Sequence, residues 1–155
     1  MTGDGLSPDG LARQIFAAME ANDRVFQVAG MREIEISAGH AVLEMTVRDD
    51  MLNGHDVCHG GALFALADTT MAIAANSYNE VAISAAGDIS FVDSAARGDV
   101  VRAEAQERSR RTRTVLYDVT LTGRDGRLIA LFHGRMQRMR RKVVVDLPGP
   151  DEVEA

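Results

Sequence analysis

A chain of 155 residues, 46% hydrophobic and 26% charged, suits one globular domain with a single core. Its net charge of −6 argues against nucleic acid as a partner, and no apolar run is long and clean enough to span a bilayer. The lone cysteine, Cys58, excludes an intrachain disulfide. The opening MTGDGLSPDG is polar and Gly-rich and does not read as a signal peptide, so a cytoplasmic location is expected. Asp9 then stands as the cap of a helix over GLARQIFAAMEAN, with Leu11, Ile15, Ala18 and Met19 on one side. MREIEIS and AVLEMTVRD alternate apolar and polar residues around the turn AGH, which predicts a β-hairpin. DDMLNGHDVCHGG, rich in turn formers, reads as a loop. A long helix follows from about Gly60 to Ser77. Four strands come after it, AISAAGDISFVDSA, DVVRAEAQERS, TVLYDVTLTG and RLIALFHGRMQRM, with turns at ARG, RRTR and GRDG. One long helix among antiparallel strands predicts an α+β domain whose sheet wraps on that helix.

The helix raises a question of charge. HGGALFALADTTMAIAANS is apolar or small nearly throughout, as expected of a helix covered by a curved sheet, yet Asp68 sits in its middle. No Lys or Arg lies between His59 and Ser77, so nothing on the helix itself neutralises the carboxylate. Asp68 therefore either points to a wet edge or bonds a nearby hydroxyl, or it lines a cleft and does acid/base or nucleophilic work. The helix start favours the cleft. His59-Gly60-Gly61 presents free backbone N–H groups with no Cβ to block a ligand, an arrangement that polarises a carbonyl. The same glycines could simply allow tight loop-to-helix packing, and Asn53-Gly54 could be an ordinary turn. Asn53 and His59 could also place hydrogen bonds near the Gly60 amide. His55 and His59, with Asp56 and Cys58 between them, are residue types that bind zinc. A loop placement and the lack of a second Cys/His cluster argue against a metal. Cys58 beside His59 is a possible nucleophile, but adjacent side chains seldom point at one another.

Taken together, Asn53-Gly54-His55-x3-His59-Gly60-Gly61-x2-Phe64-x-Leu66-Ala67-Asp68 resembles the signature of hotdog-fold thioesterases of the phenylacetate-degradation PaaI type. The likeness covers about residues 30–139 and continues through ISFVDSAARGDVVRAEA and LYDVTLTGRDGRLIALFHGRM. It implies a hotdog fold, an antiparallel sheet wrapped around one long central helix, with subunits paired through their sheets and two dimers forming a homotetramer. It divides the chain into an N-terminal extension with a short helix (1–25), a hotdog thioesterase domain (26–142) and an acidic tail (143–155). Asp68 matches the family's general base or nucleophile, and the Gly60 amide matches the group that polarises the thioester carbonyl. Asn53 and His59 match positions that support the water and the loop. Gly61, Ser84, Phe91 and Arg135 join the implied substrate-binding set. The hairpin carrying Arg108, Arg110, Arg111 and Arg113 lies, by the same resemblance, near the nucleotide end of coenzyme A. One departure is Val92-Asp93-Ser94, where family members often carry a proline. It leaves the catalytic set intact and bears on the local shape beside the acyl or CoA channel.

The chemistry agrees with the residues. Thioester hydrolysis needs a base or nucleophile and a donor for the carbonyl oxygen, which Asp68 and the helix start supply. The polyanionic end of CoA needs cations, and the basic runs RSRRTR (108–113) and RMQRMRRK (135–142) offer them in an otherwise acidic chain. Without the family context, the first run would read as a solvated turn. The expectation is a cytoplasmic acyl-CoA thioesterase acting on an aryl or medium-chain ester such as phenylacetyl-CoA, with no metal or cofactor beyond the substrate's own CoA. The alternatives are a hotdog hydrolase for acyl-carrier-protein thioesters and a non-catalytic acyl-CoA-binding module. A pure binder has no need of Asp68.

Overall fold

The computed structural model describes residues 6–153. The first five residues of the N-terminal extension and the last two of the acidic tail lie outside the described residues. Three α-helices and six strands are found among the described residues: α1 (Pro8–Glu20), α2 (Arg24–Ala29), β1 (Arg32–Ser37), β2 (His40–Thr46), α3 (Gly60–Asn76), β3 (Ala82–Phe91), β4 (Val100–Arg110), β5 (Thr114–Gly123) and β6 (Leu128–Arg138). None of these helices is long and apolar enough to cross a membrane.

The N-terminal helix is capped differently from expectation. Ser7 Oγ, not Asp9, accepts the Gly10 N–H at 3.1 Å, and Pro8 fills the first turn, where a missing N–H costs nothing. Asp9 instead reaches across to accept the Ala38 N–H at 3.0 Å, tying α1 to the β1–β2 turn. Leu11 and Ile15 face inward as the periodicity predicts, but Ala12 and Phe16 complete the buried stripe, while Ala18 and Met19 are only partly covered. Helix α2 is additional to the elements that the sequence predicts. At six residues it is too short for a periodic signal, although its caps are visible as Asp23, which accepts the Phe26 N–H at 2.9 Å, and the left-handed Gly30.

The strands form one antiparallel sheet in the order β1-β2-β4-β5-β6-β3, and α3 packs against β2 to β6. The expected α+β architecture is therefore present, with the sheet curved over one long helix. The inner faces of β4, β5 and β6 carry Val101, Ala103, Ala105, Val119, Leu121 and Phe132, all buried. Helix and sheet approach closely where Gly87 and Gly134 face each other across β3 and β6. A Cβ on Gly134 would strike Met71 of α3, and one on Gly87 would lie 2.7 Å from Phe132. Because α3 carries the chain from β2 over the sheet, β3 ends at the far edge beside β6. Most of its residues are exposed, including Ile83 and Phe91.

The end of α3 is anchored by charge. Glu80 is buried and accepts from Arg110 Nη2 at 2.9 Å and Arg138 Nε at 2.8 Å, while the Arg110 guanidinium lies 4.0 Å from the centre of the Tyr78 ring. Removing the charge from one member of a buried set leaves the others unpaired. Glu80→Gln is expected to lower unfolding stability by about 3 kcal/mol, read from the midpoint of a urea transition with its slope unchanged.

Candidate active site

The loop before α3 is shaped by Asn53. Its Oδ1 accepts the N–H groups of His55 at 2.8 Å and Val57 at 3.4 Å, and its own N–H donates to the Val57 carbonyl at 2.9 Å. The asparagine thus folds the loop back on itself, as an Asx turn does. The loop delivers His59 as the cap of α3, where Nδ1 accepts the Gly61 N–H at 2.9 Å. An accepting Nδ1 carries no proton, so the ring proton sits on Nε2. The cap takes Gly61 and leaves the Gly60 N–H without a hydrogen bond among the described residues. That donor stands at the positive end of the helix dipole. Phe91, from β3, packs beside this glycine: a Cβ on Gly60 would lie 2.8 Å from the Phe91 Cζ.

Asp68 lies eight residues further along α3, roughly 12 Å down the axis. The helix is not covered all round. Gly61, Phe64, Ala65, Asp68 and Ala72 form its least buried stripe, spaced at three to four residues. Asp68 Oδ1 accepts the Ser84 hydroxyl at 2.7 Å, and Ser84 also belongs to β3. No cation pairs with Asp68 among the described residues. The carboxylate therefore has one oxygen oriented by a hydroxyl and the other without a hydrogen bond among the described residues. The structure joins Asp68 to Ser84 and sets Gly60 beside Phe91, as two separate groups on one face of α3.

Cys58 is buried, and burial pushes its thiol up to about 11, so the thiolate a nucleophile needs is scarce at neutral pH. No three His, Cys, Asp or Glu side chains converge into a metal-holding group among the described residues.

Comparison with known proteins places this geometry. A profile of the thioesterase superfamily matches residues 55–130, the span that holds Gly60, Asp68 and Ser84. The acyl-coenzyme A thioesterase PaaI of Escherichia coli is 40% identical over 122 residues, 79% of this chain and 87% of that one. The chain belongs to the thioesterase superfamily. A structure of E. coli PaaI, from the phenylacetic acid degradation operon, superimposes with a TM-score of 0.86 at 38% identity, covering 88% of this chain and 99% of that one. A structure of the phenylacetic acid degradation protein PaaI of Thermus thermophilus follows at 0.73 and 32%, covering 76% and 100%. The hotdog fold of this thioesterase is thereby established, and it is a thioester hydrolase of the PaaI type.

The arginines of the thioesterase divide among three places. Arg108 pairs with Asp118, which also meets His133 Nδ1 at 2.6 Å. Arg108 lines a cavity of about 420 Å³ on the outer face of the sheet, and Arg135 joins it there, because its neighbour Met136 takes the inner face. Arg110 turns inward to Glu80 and Tyr78. Arg111 and Arg113 are exposed and make no ion pair among the described residues. The Glu80 set had no signature in the sequence, since its members are thirty and fifty-eight residues apart.

Proposed function

We propose that this thioesterase hydrolyses an aryl- or medium-chain acyl-CoA of the phenylacetyl-CoA kind to free acid and CoA. The observation that carries the reading is the pair of half-sites on one uncovered helix stripe: an unpaired Gly60 N–H at the helix start, and an unneutralised Asp68 held by Ser84. The E. coli relative, named an acyl-coenzyme A thioesterase, supports the substrate class. Asp68 acts as general base, taking a proton from the water that attacks the thioester carbon, or attacks that carbon itself. The Gly60 N–H receives the negative charge that builds on the carbonyl oxygen. The C–S bond then breaks, and CoA leaves as its thiolate and takes up a proton; where Asp68 itself attacked, water then hydrolyses the mixed anhydride to release the acid and restore the carboxylate. Asn53 and His59 hold the loop that aims Gly60. The reading calls for no metal and no cofactor apart from the CoA of the substrate, and for a cytoplasmic enzyme.

One carbonyl must lie within about 3 Å, or one water, of both groups, yet they are roughly 12 Å apart on one helix. The site is therefore completed by a second copy. Strand β3 is an exposed edge and carries a member of each half-site, Ser84 and Phe91. A two-fold axis midway between those residues, at Gly87–Asp88, pairs β3 antiparallel with its copy and sets Ser84 of one chain beside Phe91 of the other. Asp68 of one subunit then faces Gly60 of its partner. Two such dimers make the tetramer.

A panel of acyl-CoA esters, with released CoA detected, tests the function. Turnover is expected to be highest for aryl and medium-chain esters. No release from any of them, or faster release from acyl-carrier-protein esters, overturns the reading.

A further inference from the structure

Past β6 the chain does not trail away. The Arg141 carbonyl accepts the Val81 N–H at 2.8 Å, and Asn79 then binds the tail. Asn79 Oδ1 accepts the Val144 N–H at 2.8 Å, and its Nδ2 lies 2.9–3.0 Å from the carbonyls of Val144, Leu147 and Pro148. Asn79 is fully buried and holds a left-handed φ of 57°. Glu152 closes the strap by accepting from Lys142 Nζ at 2.9 Å and from the Gly149 N–H.

This strap walls a cavity of about 670 Å³ together with the β4–β5 turn and the end of β6. Six cations line it, Arg110, Arg111, Arg138, Arg140, Arg141 and Lys142, against two carboxylates, Glu80 and Asp151. Glu80 pairs with both Arg110 and Arg138, Glu107 pairs with Arg110 as well, and Glu152 pairs with Lys142. Arg111, Arg140 and Arg141 make no ion pair among the described residues. Uncompensated guanidinium groups around one concavity raise the local potential and favour an anion, and their forked donors suit phosphate oxygens. The volume falls in the range of small-molecule sites rather than that of a single ion. Its position matters too. Arg138, which lines it, pairs with Ala82, two residues and roughly 7 Å along β3 from Ser84, the residue that holds Asp68.

The resemblance to the family puts the nucleotide end of the CoA ester beside the basic turn, and we infer that in this chain the C-terminal strap, pinned by Asn79, completes that site with Arg140 and Arg141. Both arginines lie beyond residue 130, where the superfamily match ends. The inference rests on the thioesterase reading for its ligand and on the cavity for its chemistry. The basic turn supplies one wall through Arg111, and the strap makes it a pocket.

The test compares wild type with the Arg140→Gln/Arg141→Gln double variant, whose altered side chains are exposed. Two esters of one acyl group are used, the CoA ester and the N-acetylcysteamine ester, which has no phosphate. The KM for the CoA ester is expected to rise about tenfold or more, with kcat within about twofold and the N-acetylcysteamine ester unaffected. An unchanged KM, or equal losses on both esters, overturns the inference. Calorimetric binding of adenosine 3′,5′-bisphosphate gives a readout free of turnover. If wild type hydrolyses neither ester yet binds the bisphosphate, and the double variant does not, the thioesterase reading falls and the anion pocket stands. No binding by wild type overturns the pocket. Inorganic phosphate that binds as tightly as the bisphosphate without competing against the CoA ester also overturns the assignment to CoA.

Discussion

Asp68→Asn is expected to lower turnover of acyl-CoA esters at least about a hundredfold, the low end for loss of a general base. Asn has nearly the same shape, and its Oδ1 can still accept the Ser84 hydroxyl that now lies 2.7 Å from the carboxylate. What disappears is the negative charge that takes a proton or attacks carbon. The loss should appear in kcat rather than KM, because the group acts on the reacting centre. Stability should change little, since Asp68 is only half-buried and no cation depends on it among the described residues. Steady-state kinetics beside a thermal melt make the check. Near-normal kcat in a folded Asp68→Asn protein removes Asp68 from the mechanism.

The second large effect is a recovery of activity. Asp68→Ala destroys one half-site and Gly60→Pro the other, so each homogeneous variant is expected to be inactive. Gly60→Pro is compatible with the fold, because the first turn of a helix tolerates proline and the atoms its side chain meets are at the far end of the Phe91 ring, which can shift. Gly60→Ala serves as the control: it brings in the same Cβ but keeps the N–H, so it should retain far more activity than the proline variant. Unfolding the two inactive variants together and refolding them forms mixed dimers. Each mixed dimer carries one intact site and one doubly damaged site, so activity reappears. Mixed dimers that demonstrably form and stay dead would show that the site lies within one chain or uses other residues.

Much of this molecule can be read without a structure, and the reasons are local. The four strands after α3 lie within a few residues of the stretches that alternate or run apolar between turn signals, and α3 begins at the glycines that follow its cap. His59 caps the helix that carries Gly60, Gly61 and Asp68 at fixed rise and rotation, so their relative placement follows directly from their spacing. Local reading failed where two signals competed or where the element was short. Ser7 and Asp9 are both good caps, and the one that precedes Pro8 won, because proline suits the first helical position after the cap. Helix α2, with six residues, never completes a periodic pattern.

Sequence by itself determined the class of fold, which depends on period and turn chemistry along single segments, and through one motif it showed the resemblance to the family and nominated Asp68 and the Gly60 amide as candidates. Tertiary structure decided which side chains meet. It paired Asp68 with Ser84, put Phe91 beside Gly60, turned Arg110 toward Glu80 and Tyr78, and separated Arg135 from Ser84 across the sheet. It also folded an acidic tail onto a basic cavity through one buried asparagine. Such pairings depend on strand order and on which face each residue takes, and a shift of one residue in register reverses the face. Composition and spacing along a chain do not contain that information, because the partners are brought together only when the sheet closes over the helix.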